Sequence, residues 1–139
     1  MTNIDTSVNF VPINIALLTI SDSRSENEDG SGDLLNERIT NFGHTVKKRL
    51  IIKEDVELIK QTFLDLSNDP VIDVIISTGG TGLTGRDSTP EAVMTIADKT
   101  IDGFGELFRQ LSFNKIATST IQSRAIGACL LYTSDAADE

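Results

Sequence analysis

The chain holds a single cysteine, a single histidine and three prolines in 139 residues. One cysteine, Cys129, excludes an intramolecular disulfide and any Cys-rich zinc pattern, and a lone histidine, His44, lacks the partners that a metal site needs. Positive charge is also scarce, with 12 Lys and Arg against 21 Asp and Glu and a formal net charge of −9. The densest basic run, "VKKR", is too small for a nucleic-acid groove or a polybasic membrane anchor. An anionic substrate would have to be held by backbone amides, a metal ion or a few local cations. Long apolar runs are missing too: none approaches the roughly 18 residues of a membrane span, and the N-terminus has no positive segment leading into an apolar core with a cleavage site. The expectation is a soluble, unexported, cytoplasmic protein with no nucleic-acid or membrane partner. A chain of this length makes one domain, which can bury about 70% of the surface that the unfolded chain exposes.

Apolar residues run almost without break through "INIALLTI", Ile13 to Ile20, as expected of a strand buried on both faces. The polar loop "SDSRSENEDGSGD" follows, in which Asp22 and Asp33 are candidate capping or ligand groups. Leu35, Ile39 and Phe42 then recur at helical spacing before Gly43. "HTVKKRLII" reads as a second, more exposed strand, and Val56, Ile59, Phe63 and Leu66 predict a helix with one apolar stripe. "VIDVIIS" is a third strand. Beyond it, Pro90 opens a helix that buries Val93 and Ile96, and Phe104, Leu107, Phe108 and Leu111 mark another. Such alternation predicts a doubly wound, mostly parallel α/β sheet, whose ligands bind at the carboxyl ends of the strands. Three polar loops fall there: after Ile20, at "KED" after Ile52, and after Ile76.

The third of these loops, "STGGTGLTGRDSTPE", holds Gly79, Gly80, Gly82 and Gly85 within nine residues. Gly80 to Gly85 has the G-x-G-x-x-G spacing between a strand and a helix, but the following "PEAVMTIADKTIDGFGELF" shows no strand run to supply a ribose-binding acid. A nicotinamide-dependent oxidoreductase is therefore disfavoured. The loop is also a near miss for the P-loop, since Arg86-Asp87 replaces the Lys-Ser/Thr that reaches phosphate and magnesium. The plainest reading is a tight turn with Arg86 and Asp87 as a solvated ion pair. A turn needs only one or two glycines, however, and the remainder open the backbone to a ligand, with an anion favoured at the next helix start. Ser88 and Glu91 have capping-box spacing, which marks that start.

At these residues the chain resembles the MoaB/Mog family of molybdenum-cofactor biosynthesis proteins, whose signature is a T-G-G-T-G loop followed by Arg-Asp and a Thr-Pro-Glu-Ala helix start. Thr78 to Ala92 matches nearly residue for residue. The likeness runs on through "LTISDSR" with "SGD", "GFGELFRQLSF" and "STIQSRA", covering about Ile13 to Ala128, and looks closest to the MoaB branch. A related domain of competence-damage-inducible proteins has a similar loop but usually lacks its Arg-Asp ending. The resemblance implies a three-layer α/β sandwich that binds molybdopterin. In the catalytic members it implies adenylyl transfer from Mg-ATP to the terminal phosphate of molybdopterin, with release of pyrophosphate. The alternative is a non-catalytic pterin-binding or oligomeric scaffold homologue. The family also implies a homo-trimer or homo-hexamer.

Carried over position by position, Asp87 matches the family's catalytic loop carboxylate and would serve as a Mg²⁺ ligand. Glu54 and Asp55 fall where the family has an acidic turn, with Lys53 in place of its proline. Either acid could take the second catalytic role, with Glu54 the candidate metal ligand. Substrate contacts are expected from Ser21 and Asp22, from Gly79, Gly80, Thr81, Gly82, Arg86, Ser88, Thr89 and Glu91, and from the pair Ser123 and Arg124. No catalytic histidine or cysteine is needed, because a phosphate oxyanion is already a nucleophile and requires positioning and charge cancellation. Ser21 and Ser123 have no histidine partner that would support nucleophilic chemistry. His44 reads as structural, and Phe104, Phe108 and Phe113 as core or subunit contacts. Residues 1–12 are expected to be an N-terminal extension and 13–128 the domain, incomplete at its C-terminus. Residues 129–139 resemble translated read-through, in which Cys129 and the final acids would carry no functional meaning.

Overall fold

The first apolar segment becomes strand β1, Asn14–Ile20, in which every residue from Ile15 to Ile20 is buried. The computed structural model describes residues 5–23 and 28–130. Residues 24–27 of the first polar loop, the first four residues of the expected extension and 131–139 of the expected tail lie outside them. Strand β1 is the centre of a three-stranded parallel sheet, between β2, Thr45–Ile52, and β3, Val74–Thr78. A central parallel strand covered on both faces has no solvent side, which is why its sequence shows no alternation. Strand β2 is an edge strand among the described residues, and its exposed Lys47, Lys48 and Arg49 suit that position.

Helix α1, Gly30–Asn41, lies on one face of the sheet. Helices α2, Val56–Ser67, and α3, Thr89–Ile96, lie on the other. Leu18 and Ile20 of β1 join Ile59 and Phe63 of α2 and Ala92 and Val93 of α3 in one buried cluster. On the opposite face Thr19 is hydrogen-bonded to Asp29, the N-cap of α1. The doubly wound α/β expectation therefore holds. Within it, Phe42 is not part of the buried stripe of α1: it is the C-cap residue and stands exposed. Val71 to Asp73 precede β3, and Asp73 accepts the Asn14 N–H at 2.8 Å.

The second half of the chain departs further from its pattern. Helix α4, Asp102–Ile116, forms as predicted, followed by a 3₁₀ helix, Ala117–Gln122. Its apolar stripe is not buried: Phe104, Leu107, Phe108 and Leu111 are 48%, 56%, 44% and 60% exposed. The helix packs instead through Gly105, its one buried residue, where an added Cβ would come within 2.7 Å of the Ala125 carbonyl. A short strand β4, Lys99–Thr100, lies in the stretch that reads as helix alone, and it pairs antiparallel with β5, Ala128–Cys129. Cys129 is thus part of a strand, and Leu130 packs against the buried cluster. This pairing arises from a distant two-residue partner, which no local pattern reveals.

Candidate functional site

The three polar loops at the carboxyl ends of β1, β2 and β3 meet. Asp22, two residues past β1, accepts the Glu54 N–H on Oδ1 at 3.1 Å and Arg86 on Oδ2, from Nε at 3.1 Å and Nη2 at 2.5 Å. Arg86 also donates to the Glu54 carbonyl at 3.1 Å. One guanidinium therefore joins all three loops, and the solvated Arg86–Asp87 pair expected of a plain turn is replaced by Arg86–Asp22. Hydrogen bonding to Arg86 holds the Asp22 carboxyl below its ordinary value, and Asp22 in turn raises Arg86.

Two glycines at the base of the loop are required by geometry. Gly79, at φ +103°, passes so close to the Ile20 carbonyl that a side chain would overlap it. Gly80, at φ +69°, is pressed against Thr89 and Glu54. Thr89 is buried and donates its hydroxyl to the Gly79 carbonyl at 3.0 Å, and its N–H reaches the Gly80 carbonyl at 3.1 Å. At the far end of the loop, Asp87 Oδ2 accepts the Thr84 hydroxyl at 2.7 Å and the Thr84 N–H at 2.9 Å. The Thr84 hydroxyl, then its N–H, hold the Asp87 carboxyl below its ordinary value, with help from the Gly82 N–H and from the nearby charge of Arg124. Asp87 is ionised throughout the neutral range.

Helix α3 begins at the predicted place by a different device. Ser88 is its N-cap, yet its side chain makes no capping bond, and Glu91 does not fold back to complete the box. The Ser88 N–H instead donates to Glu54 Oε1 at 3.0 Å. The anion at this helix start is the protein's own carboxylate, brought from the loop after β2. Its neighbour Asp55 is engaged elsewhere, as the N-cap of α2, accepting the Leu58 N–H at 2.8 Å. Of the two candidate acids, Glu54 is the one that faces the glycine loop.

Arg124 lies across the loop, donating from Nε to the Gly82 carbonyl at 2.7 Å and from Nη2 to the Asp87 carbonyl at 3.0 Å. Its Nη1 meets both carboxylate oxygens of Glu91 at 2.6 Å. The Arg124 N–H also reaches the Thr81 carbonyl at 3.2 Å. Ser123 sits beside it, its carbonyl accepting from Arg109 at 3.3 Å. Ser21 donates its N–H to the Ile52 carbonyl at 2.9 Å, and its hydroxyl accepts the Ser23 N–H at 3.3 Å. His44 is remote from the loops: Nδ1 accepts the Ile13 N–H at 3.1 Å and the ring rests 5.0 Å from that of Phe10.

A cleft of about 340 Å³ opens beside Glu54, Asp55, Gly85, Arg86 and Ser88. A larger groove, about 540 Å³, runs along Arg109 and Phe113 of α4, but it is open surface away from the converging loops. No cluster of three or more metal-ligating side chains occurs among the described residues. A Mg²⁺ ion usually takes only one or two protein carboxylates, the rest of its shell being water and substrate phosphate. The residues fit that demand. Asp87 accepts from Thr84 and Glu54 from the Ser88 N–H, so the two carboxylates flank the start of α3 and would each offer oxygen to a hard cation.

One buried carboxylate escaped the sequence reading. Asp29 is fully buried, accepting Thr19 Oγ1 at 2.7 Å, the Gly32 N–H at 3.0 Å and Arg49 Nη2 at 3.1 Å, while Asp33 is exposed and meets the same guanidinium at 2.6 Å. Burial pushes the Asp29 carboxyl up, but its hydrogen bonds from Thr19, Gly32 and Arg49 outweigh this and leave it lowered. An acid directly before Gly30 is an N-cap signal that could have found it.

A parallel sheet with order β2-β1-β3, whose strand ends carry a glycine loop closed by Arg86 and Asp87, defines a molybdopterin-binding domain, and the chain belongs to this family. The family model described as "Probable molybdopterin binding domain" matches residues 16–134. Among individual relatives, the chain is 45% identical over 121 residues to molybdenum cofactor biosynthesis protein B of Escherichia coli K12, covering 86% of this chain and 71% of the relative. It is 46% identical over 115 residues to the protein of the same name from Bacillus cereus, covering 82% and 68%. A crystal structure of a molybdenum cofactor biosynthesis protein B superposes with a TM-score of 0.83 at 44% identity, covering 86% of this chain and 75% of that one. The tungsten cofactor synthesizing protein MoaB of Pyrococcus furiosus superposes at 0.72 with 30% identity, covering 84% and 72%.

Proposed function

We propose that this protein works in molybdenum cofactor biosynthesis, binding molybdopterin at the converging loops and transferring an adenylyl group to it from Mg-ATP. The observation that carries this reading is the arrangement of Asp87 and Glu54 about one glycine loop: an ionised carboxylate at its end, and a second, reaching in from the loop after β2, on the Ser88 N–H one residue further on. In the reaction an oxygen of the pterin's terminal phosphate attacks the α-phosphorus of ATP. A phosphorus–oxygen bond forms there as the bond to the bridging oxygen breaks, and pyrophosphate leaves. The nucleophile is already ionised, so no base is required.

Asp87 and Glu54 would hold Mg²⁺, which when bound cancels charge on the phosphates. The open backbone from Gly79 to Gly82 would hold phosphate oxygens, and Asp22 would keep Arg86 in place beside the cleft. A homo-trimer or homo-hexamer belongs to the same proposal, supported by the half-exposed apolar stripe of α4. So does a cytoplasmic site of action; no helix among the described residues is long and apolar enough to cross a membrane.

The test is molybdopterin-dependent release of pyrophosphate from Mg-ATP. We expect release, and a loss of roughly a hundredfold or more in Asp87→Ala with the fold intact. An undiminished rate in that variant would remove Asp87 from the mechanism. No release from the wild-type protein, with pterin still bound, would identify a binding homologue that transfers nothing.

A further inference from the structure

We infer that Arg124 is a positioning residue that braces the glycine loop and acts on the reaction through Asp87, not through contact with substrate; the inference rests on the adenylyl-transfer reading above. A guanidinium has five N–H donors in a rigid fork and can tie together groups that lie in one plane. In Arg124 that fork is directed into the protein. Nε holds the Gly82 carbonyl at 2.7 Å and Nη2 the Asp87 carbonyl at 3.0 Å, so the guanidinium grips the two ends of the stretch Gly82 to Asp87. Nη1 is neutralised by both oxygens of Glu91 at 2.6 Å, one turn into α3.

The geometry links the brace to the catalytic carboxylate. Thr84, whose hydroxyl and N–H orient Asp87, lies within the gripped stretch. The tip of that stretch is exposed from Leu83 to Arg86 and contributes no residue to the buried cluster, so little apolar packing holds it in shape. A loop without a packed core samples many conformations unless hydrogen bonds close it. With Arg124 removed, the loop carbonyls lose their donors and Asp87 is no longer held against Thr84. A residue that holds the bound substrate in its ground state would behave otherwise, because its loss would raise KM.

The experiment compares wild-type protein with Arg124→Lys and Arg124→Met, using amide hydrogen exchange across Gly82 to Asp87 and steady-state pyrophosphate release with molybdopterin and Mg-ATP. Loop exchange should quicken about tenfold or more in both variants while the β1 amides keep their protection. The kcat should fall about tenfold or more with KM for the pterin within about twofold. Methylguanidinium added to Arg124→Ala should restore part of kcat. Lysine should not substitute, since a single ammonium cannot span the two carbonyls and Glu91. Unchanged loop exchange, or a raised KM with kcat intact, would overturn the proposal and return Arg124 to the substrate. If Arg124→Met does not fold, Arg124→Lys carries the comparison. A wild-type protein without turnover would sink the adenylyl-transfer reading alone, and the exchange measurement would still decide whether Arg124 braces the loop.

Discussion

Helices α2 and α4 have nearly the same apolar rhythm and opposite fates. In α2, Ile59, Phe63 and Leu66 are buried, the first two against β1 and α3. In α4, Phe104, Leu107, Phe108 and Leu111 are about half exposed, and a glycine makes the close contact. Periodicity states that a helix has an apolar face but carries no information about what covers it. The difference lies in chain geometry. Strands β2 and β3 flank α2 directly in sequence and draw it onto the sheet. Helix α4 is anchored by Gly105 and by Arg109, which reaches the Ser123 and Ala125 carbonyls at 3.3 and 3.0 Å.

The sharpest way to probe this contrast is to truncate the same residue type in each helix. Phe63→Ala should lower unfolding stability by about 3–5 kcal/mol, through lost burial and the cavity left behind. Equilibrium denaturation would measure it. A cost below about 1 kcal/mol would mean that α2 is not the packed helix described here.

The caps offer a second contrast, since α1 and α2 are capped by side chains and α4 is not. Asp29→Ala should destabilise by about 2–4 kcal/mol, because it removes a cap and leaves the Thr19 hydroxyl without its buried acceptor. The same group makes a pH prediction. Its folded carboxyl is lowered, so the unfolded chain binds the proton more readily, and stability rises with pH through this range. The contribution should be complete above about pH 4 and fade as pH falls through the depressed value. Denaturation midpoints of wild type and Asp29→Asn should therefore converge in acid; a constant gap would contradict the assignment.

Asp55→Ala, which removes only the cap of α2, should cost about 1 kcal/mol. If Asp55 took the catalytic role instead of Glu54, that variant would lose turnover beyond its small loss of stability. The smallest effect belongs to α4, where Phe108→Ala should change monomer stability by about 0.5 kcal/mol or less despite the stacking of its ring on Phe104. A cost approaching that of Phe63→Ala would show that another protein surface covers the stripe in solution.

Much of the site was legible residue by residue. The glycine loop, its Asp87 and the start of α3 at Ser88 stand where local pattern put them. The three strand-end loops converge as a parallel sheet requires. The capping box at Ser88 and Glu91 failed because two long-range partners won: Glu54 took the Ser88 N–H and Arg124 took Glu91. Spacing says that such a bond is possible, and a charge-assisted alternative from a distant loop can displace it. Strands β4 and β5 were illegible for a related reason, since two residues carry no periodicity at all.

By itself, then, the amino-acid sequence determined the order of the three long strands and the four α-helices, the place of the glycine loop and the family, because those depend on local backbone preference and on apolar pattern. Only the tertiary structure decided that Glu54 and not Asp55 faces the loop, that Arg86 joins three loops through Asp22, that Arg124 grips the loop backbone, and that α4 meets the Ala125 carbonyl through Gly105. Each of these is a contact between residues far apart in the chain, and which of several chemically equivalent partners meet is set by where the sheet delivers them.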